Sequence, residues 1–177
     1  MKKDTFSSTT TQKILDFLCE NPYESFYSAQ VALKTNLSKG GTNQALRRMS
    51  KEDLVVTEKK GRMVFYRADS KSPIVKQFRV LRNVASLEGI VDKVKPYAER
   101  IVLFGSCAQG EDTQKSDVDI FVVSGDRKKV ERLISAGRFK REVQHIIKSP
   151  QEYIGFEKRE PELYAEVKKG IVLWEKE

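Results

Sequence analysis

The sequence predicts an α+β chain built from two different halves, and three observations support this. In the first 70 positions apolar residues recur at helical spacing three times and are followed by two short apolar strands; a long helix with one apolar face comes next; from position 99 onward strands and helices alternate. The 177 residues, 39% hydrophobic and 33% charged, describe a globular chain that can bury a core. The expected organisation is 1–70, a helical linker over 71–98, and 99–177.

In the first part, Ile14, Leu15 and Leu18 lie at helical spacing, and Asn21-Pro22 ends that helix. A short strand is expected over 24–27. Ser28 then offers an N-cap for a helix through Val31, Ala32 and Leu33 that stops near Asn36. Ser38 is the next candidate cap, with Ala45, Leu46 and Met49 as the buried stripe of a helix ending near Glu52. Gly40-Gly41 argues for a later start, since each glycine costs ~1 kcal/mol of helix stability relative to alanine. Leu54-Val55-Val56 and Met63-Val64-Phe65-Tyr66 read as strands joined by a polar loop over 57–62 with Gly61 at the turn. Three helices followed by a β-hairpin is the order of a winged helix-turn-helix.

Ser70-Lys71-Ser72-Pro73 reads as a hinge, with Pro73 suited to the first turn of a helix. From there to about Tyr97 an apolar face persists, with Gly89 as a point where the helix could break. The remainder predicts strands over 101–104, Val118–Val123, 142–147 and 171–174. Helices are expected over Arg127–Ser135 and Pro161–Lys168, and a loop at Ser149-Pro150. That order implies a small mixed sheet flanked by helices.

Composition removes several function classes. No apolar run approaches the ~20 residues needed to span a bilayer, and the N-terminal residues lack the apolar stretch of a signal peptide, so a cytoplasmic protein with no membrane partner is expected. Two cysteines, Cys19 and Cys107, and a single His145 support neither a disulfide framework nor a zinc or histidine-based metal centre. The net charge of +8 is unevenly spread: 12 basic and 8 acidic residues in 1–69, 7 and 3 in 70–100, and 14 and 14 in 101–177. A polyanionic partner is therefore expected at the N-terminal part, against the plainer reading of a solvated basic surface.

Chemistry concentrates between 101 and 123. On a strand alternate side chains share a face, so Asp117 and Asp119 point the same way with Cα atoms roughly 6.6 Å apart, while Val118, Ile120 and Val122 pack into the core behind them. Two carboxylates so placed can flank a hard cation. Upstream, Phe104-Gly105-Ser106 leaves a strand at a turn where glycine permits close approach to a ligand and Ser106 offers a hydroxyl and an N–H to phosphate oxygens. Alone, Gly-Ser is uninformative; Gly-Ser-x-x-x-Gly closely followed by Ser116-Asp117-Val118-Asp119 between two apolar strands is far more specific.

These residues resemble the DNA polymerase beta-like nucleotidyltransferase superfamily, and within it the minimal nucleotidyltransferases of bacteria and archaea, over 101–177. The implied fold is an N-terminal winged helix-turn-helix joined by a helical linker to a small mixed-sheet nucleotidyltransferase fold. By resemblance, Gly105, Ser106 and Ser116 bind the nucleotide, Asp117 and Asp119 hold magnesium, and a third carboxylate comes from a neighbouring strand. Glu142 is the choice for that third ligand, because Arg-Glu-Val followed by Ser-Pro-x-Glu-Tyr looks like the equivalent region of small nucleotidyltransferases carrying a winged helix. The alternative is an ordinary solvated strand-edge glutamate, and Asp126 is a weaker candidate. One departure is Gln109, where many members carry a basic residue. Lys115, Arg138, Lys140 and Arg141 could replace that charge or be plain surface residues, and Cys107 reads as packing rather than nucleophile. The resemblance implies in-line attack of a hydroxyl on the α-phosphate of a nucleoside triphosphate, ATP being the expected one, with release of pyrophosphate and with Asp117, Asp119 and Glu142 as the catalytic set.

The stretch 37–56 resembles winged helix-turn-helix domains of small transcription regulators. A recognition helix would present Lys39, Thr42, Asn43, Gln44 and Arg47 to base edges, Arg48 and Lys51 to the backbone, and a wing with Lys59, Lys60 and Arg62 to phosphates. Two further readings stay open. One is a non-enzymatic DNA-binding transcriptional regulator whose second half senses nucleotide. The other, by resemblance to minimal nucleotidyltransferase antitoxins, is an antitoxin that pairs with a small helical toxin and can transfer AMP onto it. A homodimer would suit a two-fold operator.

Overall fold

The computed structural model describes residues 9–113, 115–137 and 141–176. It divides into two compact units, 1–82 and 83–177.

The first unit starts with α1 (Thr10–Glu20), capped by Thr9, whose Oγ1 accepts the Gln12 N–H at 3.2 Å while the Gln12 side chain accepts the Thr9 N–H at 3.0 Å. The strand β1 is only Phe26–Tyr27. It leads directly into α2 (Ser28–Thr35), so Tyr27 rather than Ser28 is the cap residue, and its N–H is taken by the Gln30 side chain. Asn36 ends α2 in the left-handed conformation.

Helix α3 (Lys39–Lys51) begins at once after Ser38, not later. The Ser38 hydroxyl accepts the Gly41 N–H at 3.2 Å, and a Cβ on Gly41 would stand 3.0 Å from that oxygen, so a glycine expected to delay the helix instead gives its cap room. The hairpin is longer than expected: β2 (Val55–Lys60) pairs with β3 (Met63–Ala68) out to Lys60↔Met63, leaving Gly61-Arg62 as the turn, with Gly61 at φ +62°. Strand order β1-β3-β2 completes a winged helix-turn-helix. Its core joins Ile14, Leu18, Val31, Leu46, Met49 and Tyr66 with Val75.

Helix α4 (Pro73–Val94) runs through Gly89 without a break. Within the first unit Arg82 pairs with Asp16 and, at 3.1 Å, with Glu20.

The second unit holds the rest of α4, a 3-10 turn (Lys95–Tyr97), β4 (Arg100–Phe104), α5 (Gly105–Gln109), β5 (Val118–Val123), α6 (Arg127–Ser135) and β6 (Val143–Lys148). It ends with α7 (Pro150–Tyr153), α8 (Phe156–Arg159), α9 (Pro161–Lys168) and β7 (Ile171–Glu175). Ser149-Pro150, expected as a loop, caps α7 and so begins a short helix. The sheet order is β6-β5-β4-β7, with β6 parallel to β5 and the other pairs antiparallel, the mixed sheet expected.

Both faces of this sheet are covered. Ile101, Leu103, Val118, Ile120 and Val122 pack with Leu87, Ile90 and Val94 of α4 and Val130 and Ile134 of α6. Val102, Phe104, Phe121 and Val123 pack with Phe156 of α8 and Val167 of α9. Gly170 lets β7 follow α9 so closely that a Cβ there would lie 2.5 Å from the Leu103 carbonyl oxygen. Among the described residues no helix is long and apolar enough to cross a membrane.

Candidate functional site

Asp117 immediately precedes β5 and Asp119 lies within it, both part-exposed on the face that continues inward as Phe121 and Val123. The carboxylates thus stand where an apolar sheet face meets solvent. Opposite, α5 starts at Gly105 directly after β4, and β4 pairs with β5 so that Phe104 lies across from Asp119. Gly105 has φ +67°, and a Cβ built on it would be 2.5 Å from Asp119 Oδ2. Glycine is therefore needed twice over, for the backbone conformation and for the space the carboxylate fills.

Two further contacts hold the pair. The Gln144 amide donates to Asp117 Oδ2 at 2.6 Å, and the Cys107 thiol donates to the Asp117 carbonyl at 3.3 Å. Burial pushes the Cys107 thiol up to about 11, so it is a neutral packing group at physiological pH, as expected. Burial, and then the charge of Asp117, hold the Asp119 carboxyl above the ordinary carboxylate range. Among the described residues neither carboxylate has a lysine or arginine partner. Uncompensated negative charge on one strand face is what a divalent cation would relieve, so these two donors fit a hard metal ion.

The other expected residues are placed as follows. Ser106 is part-exposed in the first turn of α5. The Ser116 hydroxyl is engaged within its own loop, accepting the Thr113 N–H at 2.8 Å and lying 3.2 Å from Thr113 Oγ1. Glu142 sits just before β6 with an exposed side chain, and its carbonyl accepts the Val118 N–H at 2.9 Å. Among the described residues no three histidine, cysteine, aspartate or glutamate side chains gather into a metal-holding group. The register brings an amide, Gln144, alongside Asp119, while Glu142, one residue before the ladder begins at Val118↔Val143, flanks Asp117. Gln144 is the site residue that sequence reasoning missed, since only the pairing of β5 with β6 reveals it.

Asp126 caps α6, accepting the Lys129 N–H at 3.0 Å, which accounts for it without a ligand role. Arg141 does not replace the charge absent at Gln109. Its guanidinium is spent on Asp112 at 2.7 Å and Asn83 at 2.9 Å. Lys115 is exposed, and Arg138 and Lys140 lie outside the described residues.

A family model described as polymerase beta, nucleotidyltransferase, matches residues 88–177. The chain belongs to the polymerase beta nucleotidyltransferase family. This nucleotidyltransferase domain therefore contains the Gly105 turn, both aspartates and Glu142. No curated protein matches the chain's sequence. Among solved structures it is similar to a Sulfolobus solfataricus protein assigned as a nucleotidyltransferase, at 23% identity and TM-score 0.39, covering 57% of this chain and 87% of that one. It is also similar to ZitR of Lactococcus lactis, at 17% identity and TM-score 0.38, covering 50% of this chain and 62% of that one. A third is the archaeal chromatin protein TrmBL2, at 13% identity and TM-score 0.34, covering 92% and 76%.

In the winged helix, Lys39, Gln44, Arg47 and Arg48 are exposed and Asn43 is part-exposed. Gly40, Asn43, Gln44, Arg47, Arg48 and Lys51 line one open groove of about 440 Å³ on α3. Thr42, expected to read bases, is instead fully buried among the core residues of that helix. Its position one helical turn before Leu46 and two before Met49 puts it on the inward stripe. Lys59 and Lys60 are exposed on β2, short of the tip, where Gly61 and Arg62 make the turn.

Proposed function

We propose that this nucleotidyltransferase family member moves a nucleoside monophosphate from a nucleoside triphosphate, ATP, to a hydroxyl of a partner macromolecule. In this proposal its winged helix docks on DNA. The observation that carries the reading is the Asp117–Asp119 pair on one strand face, with Gly105 fitted against Asp119, inside the stretch that the family model matches.

Asp117 and Asp119 would hold magnesium, which supplies charge neutralisation and polarisation of phosphate oxygens when bound. Gly105 brings the backbone close to the phosphates, and Ser106 offers its hydroxyl and N–H to them. Gln144 keeps Asp117 turned toward Asp119's side of the sheet, so the donors need little rearrangement. Glu142, exposed two residues before Gln144, would be the acceptor-side carboxylate. Phosphates of the DNA would meet Arg48, Lys51, Lys59, Lys60 and Arg62, and bases would meet Lys39, Asn43, Gln44 and Arg47.

The double variant Asp117→Asn, Asp119→Asn tests the reading. Calorimetry with ATP and magnesium, and transfer of label from α-labelled ATP to macromolecular acceptors, should both go to background in the variant. Unchanged binding and transfer would sink the assignment.

The amide at Gln144, with no third metal-holding side chain gathered to the pair among the described residues, favours a second reading in which nucleotide is bound without turnover. The chain would then be a DNA-binding regulator or an antitoxin for a helical toxin. Nucleotide binding with no transfer in any acceptor screen, and a DNA shift that survives the double variant, would select it.

A further inference from the structure

Beneath the Gly105 turn lies a closed polar triangle that the proposed chemistry does not use. Asn83 and Asp112 are 4% and 6% exposed, and Arg141 reaches them from the segment just before β6. The Asn83 amide nitrogen donates to Asp112 Oδ1 at 2.9 Å and to the Cys107 carbonyl at 2.9 Å. Arg141 Nη2 donates to Asn83 Oδ1 at 2.9 Å, and Arg141 Nη1 donates to Asp112 Oδ2 at 2.7 Å, with the Thr113 carbonyl at 3.4 Å.

Each corner of the triangle connects to the carboxylate pair through one or two intervening residues. Cys107 donates its thiol to the Asp117 carbonyl. Thr113 is braced by the Ser116 hydroxyl, and Ser116 is covalently joined to Asp117. Arg141 is joined to Glu142, whose carbonyl takes the Val118 N–H between the two aspartates. Cys107, Asp112 and Arg141, from three separate segments, are thereby pinned to Asn83 of α4. A surface ion pair would contribute little, but a largely buried hydrogen-bonded network fixes one arrangement because a departure gives up charge-assisted bonds that water replaces poorly there.

We propose that Asn83, Asp112 and Arg141 form a positioning clamp that sets Asp117 and Asp119 in the arrangement that takes a divalent cation. This rests on the metal reading of the aspartates and adds to it residues that touch neither metal nor nucleotide. The guanidinium fork is essential because one group must reach both Asp112 and Asn83.

The test uses the full chain and two readouts. Manganese binding, followed by electron paramagnetic resonance well below the unfolding temperature, should weaken at least ten-fold in Arg141→Gln and in Asn83→Ala. Arg141→Lys, which keeps the charge and loses the fork, should weaken it similarly. In cation-free buffer, amide hydrogen exchange should speed up over 113–118 in the same variants, with the winged helix unchanged. Asn83→Ala keeps the Arg141–Asp112 pair and serves if Arg141→Gln does not fold. Full affinity in Arg141→Lys, or unchanged affinity and exchange in folded Asn83→Ala, would overturn the clamp. Manganese binding that is absent from the unsubstituted chain, or indifferent to Asp117→Asn with Asp119→Asn, would overturn the metal reading itself and the clamp with it.

Discussion

Gly105→Ala is the substitution whose cost can be worked most directly from the structure. The methyl would meet Asp119 Oδ2 at 2.5 Å, and the φ of +67° is strained for any residue with a Cβ. The backbone part costs about 1 kcal/mol. Opening the contact to van der Waals distance means moving the carboxylate by about 1 Å, and overpacking of this kind costs about 1–3 kcal/mol. Strand β5 cannot retreat as a whole, because Asp119 is paired on one side with Phe104 and on the other with Gln144. The carboxylate must rotate instead, which changes its placement relative to Asp117. Urea unfolding followed by Trp174, the single tryptophan, reports on this unit. Gly105→Ala should lose about 2–4 kcal/mol in the unsubstituted chain and only about 1 kcal/mol in an Asp119→Ala background, a coupling that isolates the clash. Manganese affinity should fall with it. Equal costs in both backgrounds, with metal affinity unchanged, would refute the argument that Gly105 makes room for Asp119.

Other outcomes follow from single features. The buried Thr42 Oγ1 has no hydrogen-bond partner among the described residues, so Thr42→Val should leave thermal stability equal or higher and DNA affinity unchanged. Arg48→Ala with Lys51→Ala should weaken DNA binding across sequences and lower the salt slope by about 2, read by fluorescence anisotropy at several salt concentrations. Because the folded-state carboxyl of Asp119 is held above its ordinary 3.8, stability falls as pH rises from there through the raised value. Asp119→Asn should therefore unfold at a higher temperature than the unsubstituted chain in cation-free buffer at neutral pH, and added magnesium should stabilise only the latter. With its thiol pushed up to about 11, Cys107 should resist alkylation at pH 8 in the folded chain and react in urea, followed by mass spectrometry.

Where sequence reading succeeded, the signal was local. Alternation along one strand suffices to put Asp117 and Asp119 on one face, and helical spacing suffices to place Leu46 and Met49 in a core. Where it failed, the deciding partner was distant or the phase was off by one. Thr42 differs from Asn43 only by 100° of helix rotation, yet one is sealed in and the other faces the groove. The hairpin loop shrank to two residues because Gly61 supplies a turn tight enough for polar Lys59 and Lys60 to continue the ladder.

The sequence by itself determined the α+β class, the winged helix, the mixed sheet and the acidic start of the strand β5 within it, because each is written in periodicities of two or three to four residues. Tertiary structure alone decided what surrounds that acidic strand. The parallel pairing of β5 with β6 chose Gln144 over Glu142 as Asp119's neighbour, and the approach of α5 turned Gly105 from a flexible turn into a fitted one. Arg141 was drawn inward by Asn83 and Asp112, 58 and 29 residues away, contacts that no local pattern encodes because they exist only once burial has made an unpaired charge costly.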